Sequence, residues 1–250
     1  MNIRAGLCGL LVLGFGACSS ETVKHDPNEP SASEIYVRKG IRYMEEGQLN
    51  VALSDFKHAT ELDDRNALAH NALGVLYERL ANPDEAGSHY QRALDLDEEN
   101  FDIRNNYGRF LCTQGKYEQA LELLRKIIDS KLYDTPWVGL TNAGLCARSA
   151  GQREQAEDYL RRALERNPTF PPALLEMARL SLESGQHLSA RAFLQRYESV
   201  AERDAASLWL GMQVEHALGN RDAAAEYYKA LLARFPDSRE AQQARKLPNY

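Results

Sequence analysis

The chain lacks the features by which an enzyme or a nucleic-acid binder first announces itself. No phosphate-cradling glycine loop, no dinucleotide fingerprint and no His-Glu-x-x-His motif occurs in its 250 residues. Its six histidines are scattered, and His70, His89 and His216 fall on separate expected helices without metal-ligand spacing, which leaves them surface or packing roles. No catalytic residue, cofactor site or metal site is expected, so the function is sought on a binding surface. Basic charge is in short supply too: 30 Lys and Arg stand against 36 Asp and Glu, a formal net charge of −6. Both signs are interleaved along the chain, leaving no basic stripe to neutralise phosphates, and nucleic acid is not an expected partner. The apolar run Ala5 to Phe15 has eleven residues, too few for the roughly 20 that a membrane-spanning helix requires. Cysteine is scarce: Cys8 and Cys18 lie near the start, Cys112 and Cys146 lie 34 residues apart in the body, and the two pairs need separate explanations.

What is present is a period. Ala52, Ala86, Ala120, Ala156, Ala190 and Ala224 are spaced by 34, 34, 36, 34 and 34 residues. Five residues before each stands Gly47, Ala81, Gly115, Gly151, Gly185 or Gly219, a small residue where one helix ends and the next begins. Self-similarity at this period marks a solenoid of helix pairs, in which each unit buries its apolar face against its neighbours.

Ahead of the repeats, Met1 to Arg4 supply a short positive start to the apolar run, and residues 1–17 are expected to be a signal peptide. The run closes in Phe15-Gly16-Ala17-Cys18, which resembles the bacterial lipobox, with Phe15 where Leu is usual. That resemblance implies lipidation of Cys18, and Ser19 and Ser20 in place of an Asp imply the periplasmic face of the outer membrane. A multiply acylated cysteine is a durable anchor, since each buried methylene contributes about 0.8 kcal/mol. Residues 18–32 carry Pro27 and Pro30, show no helical or strand period, and are expected to be a flexible tether.

Six units are expected at 33–66, 67–100, 101–136, 137–170, 171–204 and 205–238, followed by a helix-compatible terminal segment, 239–250, over the last open face. They resemble the tetratricopeptide repeat. The first unit supplies Tyr36, Gly40, Tyr43, Ala52, Phe56 and Ala59, and the second Leu73, Gly74, Tyr77, Ala86, Tyr90 and Ala93, at the family's alternating small and large positions. Small residues let two antiparallel helices approach, and large ones fill the space between pairs. The match loosens toward the sixth unit, where Met212 and Glu215 replace a small residue and an aromatic while Gly219, Ala224, Tyr228 and Pro236 keep the register. The resemblance implies an all-α, right-handed superhelical solenoid.

Two stretches are more specific than the repeat: NNYGRFLC, Asn105 to Cys112, and TNAGLC, Thr141 to Cys146, at matching places in neighbouring units. With the anchor and six repeats, the chain resembles the type IV pilus biogenesis lipoproteins, the pilotins that serve the outer-membrane secretin. The resemblance implies a non-enzymatic protein, monomeric by itself, that binds secretin subunits and helps them reach the outer membrane and multimerise. The rival is another outer-membrane tetratricopeptide lipoprotein, one supporting β-barrel assembly or recruiting cell-wall enzymes. Cys112 and Cys146 fall late on first helices that pack side by side, so they can face each other as a disulfide in an oxidising periplasm or stay as two buried thiols.

In tetratricopeptide proteins the concave surface is lined by positions 2, 5, 9, 12 and 13 of each first helix. By that count Val37, Ile41, Met44, Leu68 and Val75 are expected to form an apolar patch at the N-terminal end. Asn71, Asn105, Arg109, Thr141, Arg148 and Arg179 are expected to give a polar, partly cationic lining able to grip an extended peptide. Asn106 and Asn142 are placed to hydrogen-bond between helices instead.

Overall fold

A computed structural model describes residues 29–130 and 132–247. Thirteen helices and no strand occur among the described residues. They run in antiparallel pairs: α1 (Ala32–Glu45) with α2 (Leu49–Leu62), α3 (Ala67–Arg79) with α4 (Pro83–Leu96), and α5 (Phe101–Thr113) with α6 (Tyr117–Ile128). The pairs continue with α7 (Pro136–Ser149) and α8 (Arg153–Arg166), α9 (Pro171–Glu183) and α10 (His187–Glu198), then α11 (Ala205–Ala217) and α12 (Arg221–Arg234), closed by α13 (Arg239–Ala244). Each first helix touches the first helix of the next pair, and each second helix touches it as well, so the pairs stack into a solenoid.

Helix ends follow local chemistry. Ser31 and Glu34 form a capping box at the start of α1, and the side chains of Asn66, Asn82, Asn100 and Asn220 each accept from a first-turn N–H of the helix that follows. At the turn inside each pair one residue takes the left-handed conformation: five glycines at φ 73 to 77°, and Ala81 at φ 54°.

The alanine register is the close-approach seam, and all six register alanines are fully buried. Opposite it, an added Cβ on Gly40 would lie 2.4 Å from the Phe56 ring and one on Gly74 would lie 2.7 Å from the Tyr90 ring. The sixth unit makes this contact one residue earlier than the spacing suggests. Gly211 receives Tyr227, whereas Met212 is buried and Tyr228 only half-buried. Glu215, where an aromatic is usual, is 6% exposed and held by two bonds from Arg191 and a third from Asn220 Nδ2 at 3.1 Å. A buried carboxylate is tolerable only with such partners.

Candidate functional site

The expected docking patch at the N-terminal end is smaller in the structure than position counting suggested. Val37 and Met44 are 5% and 7% exposed, packed in one core cluster with Phe56, Leu73 and Leu76. They are corrected to core residues: α3 lies alongside α1 and covers them, and the Arg79 guanidinium donates to the Met44 carbonyl at 3.1 Å. Val75 is half-buried between two clusters. Ile41 and Leu68 remain outside, 37% and 47% exposed.

The polar lining is tied up as well. Asn71 Oδ1 accepts from Asn106 Nδ2 at 3.2 Å, and Asn105 Oδ1 accepts from Asn142 Nδ2 at 2.8 Å, so paired amides link α3 to α5 and α5 to α7. Asn105 is buried, and Thr141 donates to the Trp137 carbonyl at 2.7 Å from a buried position; both are corrected to packing residues. Asn106 and Asn142 do bond between helices, but their partners are the very asparagines expected to face a ligand.

Each of the three arginines meets carboxylates. Arg109 donates to both oxygens of Glu78, at 2.9 and 2.8 Å, and the Tyr90 hydroxyl donates to Glu78 Oε2 at 2.9 Å. Burial pushes the Tyr90 hydroxyl pKa well up, and the Glu78 charge adds to it. Burial works to lower the Arg109 pKa, and the bonds and charge of Glu78 overcome it. Arg148 spans α7 and α9, reaching Glu176 at 3.3 Å and Glu183 at 2.7 Å, while Arg179 lies 3.4 Å from Glu176. The lining is therefore an inter-repeat ladder of ion pairs with little free cationic charge. Sequence spacing missed this because the carboxylates sit 28 to 35 residues from their arginines, or one helical turn away.

Two further groupings lie elsewhere. The structure joins Cys112 and Cys146 through their sulfurs, with Cα atoms 5.5 Å apart, a separation a disulfide accommodates. His70 and His89, expected to be unrelated, bring their Nδ1 atoms to 3.0 Å across the α3–α4 seam, beside Tyr77. Burial lowers the pKa of both rings; Arg92 adds to this at His70, and His70 and Lys57 add to it at His89, against Asp64 and Glu85. The two histidines stand 19 residues apart on the two helices of one pair, so no spacing within a single helix would have paired them. No group of three or more His, Cys, Asp or Glu among the described residues is placed to hold a metal ion. No described helix is long and apolar enough to cross a membrane. Cys18 lies outside the described residues.

Tetratricopeptide-repeat family models match residues 80–140 and 147–213, with further repeat models matching 40–80 and 205–238. Type IV pilus assembly protein PilF of Pseudomonas aeruginosa is 31% identical over 247 residues, spanning 97% of this chain and 98% of its own. The crystal structure of PilW, described as a widely conserved type IV pilus biogenesis factor, superposes with a TM-score of 0.78 at 33% identity, covering 87% of this chain and all of that one. A Pseudomonas aeruginosa PilF structure gives a TM-score of 0.71 at 30% identity, covering 85% and 96%. The PilF match spans nearly the whole sequence, and the chain belongs to the tetratricopeptide-repeat family of the type IV pilus biogenesis factors PilF and PilW.

Proposed function

We propose that this protein is a non-enzymatic lipoprotein of the outer membrane, anchored through Cys18 on the periplasmic face, that binds secretin subunits and promotes their assembly for the type IV pilus. The observation that carries the pilus role is the match to PilF over 97% of the chain. Docking centres on Ile41 and Leu68, the expected patch residues that stay exposed. Residues 19–32 span at most about 45 Å when extended, so a lipid on Cys18 keeps this end of the solenoid near the membrane.

The test is Ile41→Asp with Leu68→Asp in the full chain, since both side chains are exposed and the fold is expected to survive. Loss of secretin co-purification, of secretin multimers and of twitching, with helical content unchanged, is the expected result. Undiminished secretin binding by the folded variant removes the docking site. A deletion strain with normal pili and a general loss of outer-membrane barrels refutes the pilus role itself.

A further inference from the structure

The second unit holds a histidine pair that the docking surface does not use. His70 on α3 and His89 on α4 approach with Nδ1 atoms 3.0 Å apart and ring centroids 5.3 Å apart, so one hydrogen bond and one proton lie between them. His70 Nε2 lies 3.2 Å from the Asp64 carbonyl oxygen. A carbonyl only accepts, so Nε2 of His70 carries its proton, Nδ1 of His70 accepts, and Nδ1 of His89 donates. His70 is thereby tied both to the turn before α3 and to α4. His89 is held in turn by Tyr77, which stacks on it with centroids 5.5 Å apart and planes within 10°.

We propose that this pair is an acid-released latch, which closes α3 on α4 while the two rings share one proton, opens when each nitrogen carries its own, and thereby regulates docking at Leu68. The regulatory step rests on the docking reading above. The proton count makes the contact two-state. A first proton taken from solvent fits at His89 Nε2, and the cationic ring still donates from Nδ1, now through a charge-assisted bond. A second proton has only His70 Nδ1 to go to. Two N–H groups on two cationic rings then face each other across the 3.0 Å gap, and the bond gives way to repulsion.

The surroundings resist that second proton. His70 is in the first turn of α3, where the positive end of the helix opposes a cation. Both rings are half-buried, and burial is the main cause that holds their pKa values below the ordinary histidine value. Of the charges facing them, Arg92 of α4 works in the same direction on His70 and Lys57 of α2 on His89, while Asp64 and Glu85 work against it. A histidine whose native pKa is lowered binds fewer protons folded than unfolded, so the latch contributes its full stability above about pH 6.5 and loses it as the pH falls below. Tyr77 holds His89, so the ring that turns out is His70, and its bond to the Asp64 carbonyl goes with it. The same turn carries Asn66, whose side chain caps α3 by accepting from the Ala69 N–H at 3.1 Å, and Leu68 stands in the helical turn so capped. Release of the turn therefore moves a docking residue.

The experiment follows the imidazole C–H resonances of the full chain from about pH 8 to about pH 5, with native-state amide exchange at about pH 7.5 and 5.5 alongside. Both midpoints are expected below about 6.5, in two steps separated by at least about one pH unit. Opening of α3 and α4 is expected to rise about tenfold over that interval, the ratio for one ring denied a proton across the unit below 6.5, with α7 and α8 unaffected. In His89→Gln the amide can turn either its NH₂ or its oxygen to His70, and the rise is expected to vanish. Binding of a secretin segment is expected to weaken with falling pH in the parent and to stay level in His89→Gln. Two rings titrating together near 6.5, or an equal rise in opening in the parent and in His89→Gln, overturns the latch. Exchange that rises as expected while the segment binds equally at both pH values overturns the regulatory step. A segment that binds at neither pH refutes the docking reading instead, and the exchange then decides the latch. Should His89→Gln unfold, the resonances of the parent chain decide.

Discussion

Ala81 occupies a turn position at which the other five pairs have glycine, and its φ of 54° places an L-side chain in the left-handed region. That conformation costs an alanine about 1 to 2 kcal/mol, partly offset because glycine loses about 0.5 to 1 kcal/mol more in entropy on folding. Ala81→Gly is therefore expected to stabilise the second unit by about 0.5 to 1 kcal/mol, read as a higher urea midpoint at unchanged slope; a lower midpoint contradicts the strain. The cysteine pair gives a larger effect. Joined residues 34 apart in sequence remove about 3 to 4 kcal/mol of unfolded-chain entropy in the loop-closure description. Reduction, or Cys112→Ala with Cys146→Ala, is expected to lower stability by that order. Full thiol labelling of both residues in the native, unreduced protein would show that no bridge forms. Glycine spacing and cysteine placement were legible in the sequence because both repeat with the fold. The side chains of Val37 and Met44 were not, because position counting places them at the border between groove and seam, and only the packed α3 decides which way an apolar group turns.

At the scale of elements, the sixth pair shows how the fold tolerates poor repeat residues. Gly211 and Tyr227 restore the close contact one residue out of step, and Glu215 replaces an aromatic by accepting from Arg191 and Asn220. Its far side is closed by α13, whose Ala241 and Ala244 are fully buried in one cluster with Leu208, Met212 and Leu231. Fully burying side chains of that size contributes about 1.5 to 3 kcal/mol each. Lifting α13 is thus expected to weaken local closure of α11 and α12 by about 2 to 4 kcal/mol. Ala241→Asp with Ala244→Asp tests this in the whole chain, because the added carboxylates have no room in the cluster. Faster amide exchange in α11 and α12, with α5 to α8 unaffected, is the expected pattern, and unchanged exchange in α11 would mean the cap carries no weight. The period revealed that this unit exists, but its shifted contact could not be read from it. A one-residue slip leaves the alanine register untouched.

Across the whole molecule the buried apolar groups are unevenly shared. One cluster runs unbroken from Leu111 through Val214, while α1 to α3 rest on a separate, smaller cluster from Val37 to Leu76, and Ala86 and Tyr90 of α4 on another with Phe110. The N-terminal edge is also open among the described residues. Ile35 is 51% exposed, and Arg38 and Arg42 stand exposed at positions whose counterparts in the next unit, Ala72 and Leu76, are buried. A stacked array opens from its weaker end, because each pair is held only by its own interior and its neighbours. This also bears on docking, since Ile41 and Leu68 lie in the first two pairs, where a partner that covers them supplies the packing the edge lacks. Native-state hydrogen exchange is therefore expected to find α1 and α2 opening at the lowest free energy and α6 to α9 at the highest, with the Cys112–Cys146 connection inside the slow region. Added secretin segment is expected to slow exchange in α1 to α3 first. Equal protection in all six pairs would mean that the solenoid opens as one unit, and slowing confined to α9 to α12 would move the partner to the other end of the molecule.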